Sequence, residues 1–314
     1  FLATSLLPVV LIACNKPAET EEAAAPATPP ATATATAAAM TPEAEVMQWR
    51  ENRKKRLQSE DGWLTLVGLH WLREGENRIG SDKANQIVLP PKAPASAGTL
   101  VLRDGKVTLT PGTGLTVDGK PITVPTPLAD DTAENGPTIV QTGTIRFNVI
   151  KRGERYGVRV KDSQAETRTH FAGLEYYPID PKWRVEARLE RYDPPKSIKI
   201  TDITGMTSDN PSPGALVFTV DGKEHRLDPL QEGDELFIIF KDETSRKGET
   251  YPAGRYLYAK MPGPDGKVVV DFNKAYSPPC VFTPFATCPL PPPQNQIPVR
   301  VEAGEKNYKG GKHA

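Results

Sequence analysis

Seven of the sixteen residues from Pro278 to Pro293 are proline. A ring that fixes φ and removes the N–H donor excludes both an interior strand and a helix, so residues 277–293 are expected to form an irregular strap. The bias runs through the whole chain, where 32 prolines and 25 glycines among 314 residues favour short strands and turns over long helices. A mainly β protein is expected. The length suits two domains of roughly 150 residues, each able to bury a core. Thirty-nine Lys and Arg balance 39 Asp and Glu, so the basic footprint of a nucleic-acid binder is missing and no nucleic-acid partner is expected.

The first residues concern address. Residues 1–13, FLATSLLPVVLIA, are apolar and uncharged and fall short of the ~20 residues that span a bilayer. They read as a signal peptide truncated at its start. Leu11-Ile12-Ala13-Cys14 resembles the lipobox of bacterial lipoproteins. The resemblance implies a Cys14 carrying acyl chains such as palmitate, and a cell-envelope protein whose first partner is membrane lipid. An ordinary secretory signal with a stray cysteine is the alternative. Asn15 stands where an aspartate would resemble an inner-membrane retention signal, which points to the periplasmic face of the outer membrane in a Gram-negative host. Residues 14–42 then form a tether: Pro17 to Pro42 hold 11 Ala, 6 Thr and 5 Pro without an aromatic, a composition that builds no core.

Thr41-Pro42 supplies a helix cap and a proline at the first helical position, with Glu43 and Glu45 in the first turn where the dipole favours them. A helix over 43–60 places Val46, Trp49, Arg53 and Leu57 on one stripe. Arg53, between large apolar neighbours, needs a partner there. Residues 50–56, RENRKKR, carry five basic side chains in seven; they suit a solvated helix face, or contact with anionic lipid.

From 61 to 163 the chain alternates short apolar runs with turn residues, as a small β-sandwich does. Arg78-Ile79-Gly80-Ser81 with Asn85 and Ile87-Val88-Leu89, and later Val117-Asp118-Gly119, resemble forkhead-associated domains. Ser81 stands where that family has its phosphate-contacting arginine, and Ser96-Ala97-Gly98-Thr99 keeps only the serine of the next motif. Without those cations a phosphate loses its charge-assisted hydrogen bonds. The resemblance therefore implies a scaffold, with no phosphothreonine peptide as partner.

Residues 164–308 read as a second antiparallel β domain, followed by a tail at 309–314. Its expected strands include WRVEARLE, SIKITDI, ALVFTV, ELFIIFK, GRYLYAK, KVVVDFN and PVRVEA. If Met261 pairs with Lys267 across Pro262-Gly263-Pro264-Asp265-Gly266, alternation puts Arg255, Asp271 and Asn273 on one face. With Tyr276 and Arg53 they form the candidate ligand-binding set, lying beneath the strap. An ion pair that merely fixes strand register is the competing role for the trio. The elements DFN, AY, PPC and FATCPLPPP (residues 271–293), with GRYLY, YYPID and DGWLTLVGLHWL before them, closely resemble the bacterial domain-of-unknown-function family 1684. That resemblance implies no catalytic residues.

Cys280 and Cys288 remain once Cys14 is set aside. Three chemistries stay open for them. They are a disulfide in an oxidising compartment, a reactive thiol with Asp271 or Tyr276 as proton acceptor, and a zinc site, which the spacing and the scattered His70, His170, His225 and His313 disfavour. No GxSxG, GxGxxG, GKS, GKT, HExxH or CxxC motif occurs, and neither cofactor nor metal is expected. Two functions follow: a lipid-anchored binding or structural module using the Arg255, Asp271, Asn273 and Tyr276 face, or an envelope hydrolase or transferase using that face with Cys280 or a carboxylate.

Overall fold

A helix starts the described part of the computed structural model, which covers residues 40–310. Cys14, the expected signal peptide, most of the expected tether and the end of the tail lie outside the described residues. The helix runs Pro42–Gln58 for the reasons read from its sequence: Thr41 caps it by accepting from the Ala44 N–H at 3.2 Å, Glu43 and Glu45 sit in the first turn, and Lys55 and Arg56 in the last. Val46, Arg53 and Leu57 are buried along its inner stripe, and Trp49 is half-buried. No described helix is long and apolar enough to cross a membrane.

Two sheets then face one another. One holds six strands in the order Leu66–Trp71, Arg155–Asp162, Ile145–Arg152, Val140–Thr142, Thr116–Val117, Lys120–Pro121; the other holds five, Ile87–Val88, Gly75–Gly80, Gly98–Arg103, Lys106–Pro111, Thr126–Leu128. Alternating side chains from both, among them Ile79, Leu100, Leu109, Phe147 and Val160, make one buried core. At Asp118-Gly119 both residues have positive φ, 49° and 73°. This is the geometry a two-residue hairpin requires and Asp-Gly adopts readily. Ser81 Oγ donates to the Ala93 carbonyl at 2.8 Å and Arg78 to the Ala84 carbonyl at 3.2 Å, so both serve the loop that holds them.

The C-terminal half is built from a four-stranded sheet and a three-stranded sheet. The first has the order Lys223–Leu227, Thr207–Val220, Arg184–Thr201, Lys267–Asp271; the second Leu230–Glu232, Glu235–Phe240, Arg255–Lys260. They share a core of Leu216, Phe218, Ile238, Leu257, Val270 and Phe272 with others. The expected runs WRVEARLE and SIKITDI are one strand, whose register against its partner breaks between Arg191 and Lys196. Pro194 and Pro195 lie in that gap, where a missing N–H interrupts the ladder. PVRVEA is not a strand. Its backbone is taken up by side chains instead: the carbonyls of Val301 and Ala303 accept from Arg255, and the Val301 N–H donates to Asp242.

The strap is irregular as expected, with a 3-10 turn at Pro279–Val281, but it does not lie over the proposed trio. It runs between the two β halves. Thr283 donates to the Leu66 carbonyl and Arg152 to Thr287 on the sandwich side, while Leu290 N–H bonds Thr201 and Ile203 N–H bonds Cys288 on the other. A shared cluster joins Leu66 to Ile200, Phe237, Tyr256 and the two cysteines. Residues from Thr41 onward accordingly form one compact unit.

Candidate functional site

The expected hairpin does not form, and with it goes the trio. Arg255–Lys260 pairs with Glu235–Phe240, placing Arg255 opposite Phe240, and Lys267–Asp271 pairs with Arg184–Arg188, placing Asp271 opposite Arg184. The two strands joined by Pro262–Gly266 belong to different sheets because each sends alternate residues, Leu257 and Ala259 from one, Val268 and Val270 from the other, into the common core.

Arg255 is fully buried and serves that core. Its guanidinium contacts Asp242 at 3.2 Å, both side chains 0% exposed, and donates to the Val301 carbonyl at 2.9 Å and to the Ala303 carbonyl. Asp242 also accepts from Thr244, Ser245 and the Val301 N–H. Burial alone would raise the Asp242 pKa; Arg255 and these donors outweigh it and hold the carboxyl below its usual range. Arg53 has its partner in Glu305, 2.9 Å away and buried with it; Arg53 also donates to the Ser277 carbonyl, whose N–H bonds the same Glu305. This network pins the helix to the start of the strap. Asn273 is structural as well, since its amide makes two hydrogen bonds with the Asp180 backbone and one with Asp271.

Asp271 and Tyr276 do meet at a cavity. A cleft of 530 Å³ opens where the strands Arg255–Lys260 and Lys267–Asp271 part, lined by both residues together with Trp49, Arg184, Tyr258 and Lys274 among others. None of residues 277–293 lines it. Asp271 is 5% exposed. Its Oδ1 caps the following 3-10 turn by accepting from the Asn273 N–H and side-chain amide. Its Oδ2 makes no hydrogen bond; it faces Arg184 at 3.5 Å and Lys274 at 4.0 Å, both of which line the cleft. Lys274 is also 3.5 Å from Glu45 of the helix. Trp49 packs against the Tyr276 ring, centroids 6.0 Å apart, and Arg53 lies 4.7 Å over that ring's centre. Burial raises the Tyr276 phenol above its ordinary pKa, so it stays protonated across the physiological range.

Sequence reasoning missed Arg184, Lys274, Tyr258 and Glu45. Glu45 and Trp49 are four apart and share a helix face, which was readable. Arg184 was not, because only the unpredicted pairing with Lys267–Asp271 brings it to Asp271. Cys280 and Cys288 are joined in a disulfide, which removes the reactive thiol from the rival enzymatic reading. Among the described residues no cluster of three or more His, Cys, Asp or Glu suits a metal ion.

Comparison with known proteins finds a family match for the C-terminal part of the chain. Residues 169–306 match the family described as "Protein of unknown function (DUF1684)". An uncharacterized protein of Haloarcula marismortui, solved by solution NMR, is 34% identical over 45% of this chain and 80% of its own, with a TM-score of 0.38. An FHA domain from a study of phosphothreonine-dependent interactions is 21% identical over 31% of this chain and 96% of its own, with a TM-score of 0.20. No curated protein matches. Through residues 169–306, the chain belongs to the DUF1684 family of proteins of unknown function.

Proposed function

We propose that this protein is a lipid-anchored binding module of the cell envelope, held to the membrane through Cys14, whose ligand site is the cleft between the strands Arg255–Lys260 and Lys267–Asp271. One observation carries the binding reading: a carboxylate that is 5% exposed keeps one oxygen without a hydrogen bond, turned towards the cations of a 530 Å³ cleft. Buried polar groups are ordinarily satisfied, and a concave site with aromatic walls and a few converging polar groups, within the range of about 300–1,000 Å³, is the usual form of a small-ligand pocket. Helix and strap support the site from behind through Arg53, Glu305 and Ser277.

Thermal unfolding of the full chain against a panel of small polar compounds tests the cleft, with Asp271→Asn and Trp49→Ala beside the wild type. Stabilisation that disappears in both variants supports the reading; stabilisation that survives in both removes the cleft from it. Metabolic labelling with an alkyne analogue of palmitate tests the anchor, and Cys14→Ser is expected to abolish the label.

A further inference from the structure

The cleft's chemistry narrows what it takes. Four basic and three acidic side chains line it, and several are already paired: Lys274 with Glu45 at 3.5 Å, Lys267 with Glu186 at 2.7 Å, and Arg184 with Asp271 at 3.5 Å. So nearly balanced a lining offers little field to capture a compact polyanion or polycation. What it does offer is a fixed acceptor, Asp271 Oδ2, beside two fixed donors, Arg184 and Lys274. A hydroxyl both donates and accepts, so one placed here donates to the carboxylate while accepting from an adjacent cation. Two neighbouring hydroxyls would satisfy the acceptor and both donors.

The walls supply the other half of the recognition. Trp49 is half-buried, which leaves part of its ring open, and Tyr258 is 38% exposed with its hydroxyl fixed 2.8 Å from Glu232. An aromatic with an apolar face and a tethered polar end is suited to a ligand that is apolar on one surface and wet on its rim. We propose that the cleft binds a saccharide. A sugar ring lays its C–H face on Trp49 and directs vicinal hydroxyls to Asp271, Arg184 and Lys274. The assignment rests on the cleft reading above and adds the ligand class.

The test is an isothermal calorimetric titration of the full chain, held in a detergent without a sugar headgroup. The probes are trisaccharides of N-acetylglucosamine and of glucose, with citrate and spermidine as charged comparisons. A saturable change with at least one trisaccharide and with neither charged probe is expected, weakened about tenfold or more in Asp271→Asn and in Trp49→Ala, as loss of one charge-assisted contact implies. Circular dichroism verifies that both variants fold, and Trp49→Ala, at a half-buried position, keeps the test valid if Asp271→Asn does not. A Trp49-dependent response to citrate or spermidine without one to either sugar overturns the saccharide assignment and leaves the cleft standing. A response to none of the four also overturns it, while the cleft itself is judged by the broader thermal panel.

Discussion

Arg255–Asp242 and Arg184–Asp271 are the same pair of residue types placed within one half of the molecule, yet they do opposite work. The first is sealed: both side chains are 0% exposed, and the carboxylate is saturated by two hydroxyls, two backbone N–H groups and the guanidinium. The second is open on one side, with the arginine side chain 32% exposed and one carboxylate oxygen without a hydrogen bond. A sealed pair whose carboxylate is saturated gives a ligand no access, although the Arg255 Nε keeps no hydrogen bond, and it acts on register and fold. An unsaturated pair beside a cleft keeps capacity for a second partner. Residue identity does not separate the two roles; the count of satisfied lone pairs does.

The largest effect separating them should come from Asp242→Ala, which strands the Arg255 guanidinium in the core and should cost about 3–5 kcal/mol in chemical denaturation. Its pH dependence sharpens the same point. Because the folded pKa of Asp242 is depressed, its stabilisation is complete above the unfolded value of about 3.9 and is lost as pH falls through the lower folded value. The wild-type midpoint should therefore drop below about pH 4, and Asp242→Asn should flatten that part of the profile. A sealed pair that could be opened at no cost would make the two ion pairs alike.

Arg53→Met should rank second. It leaves Glu305 with only the Ser277 N–H and should cost about 2–3 kcal/mol, read as faster hydrogen exchange throughout Pro42–Gln58. Replacing both Cys280 and Cys288 by alanine opens a loop with sequence separation 8 and should cost about 2–3 kcal/mol on the chain-entropy estimate. Smallest is Asp271→Asn. Asparagine caps helical turns as well as aspartate does, so stability should change by less than about 1 kcal/mol while ligand responses disappear. A large loss of stability there would make Asp271 a second sealed core group.

Local features were legible in the sequence and long-range pairings were not. The helix could be read to within two residues because Thr41, Pro42 and the acidic first turn are local signals, and Arg53's need for a partner followed from its place on the stripe. The alternation of short apolar runs and turns in the first half was visible for the same reason. What the sequence withheld is which acid each arginine finds. Asp242 lies 13 residues before Arg255 and Asp271 lies 16 after it, and hydrophobic alternation in Arg255–Lys260 is compatible with pairing on either side. The choice is made by a core that two sheets fill together, a property of no single segment. The same cause turned PVRVEA from an expected strand into a loop whose carbonyls serve Arg255.

The four tryptophans allow one direct measurement, because Trp49 lines the cleft, Trp63 precedes and Trp71 ends the first sandwich strand, and Trp183 is buried at 2% exposure. In an ¹⁵N-edited NMR titration of the full chain with the two trisaccharides, the Trp49 indole resonance is expected to move and broaden saturably while the other three stay in place. Movement of Trp63 or Trp71 with Trp49 unchanged would put binding on the sandwich and remove it from the cleft.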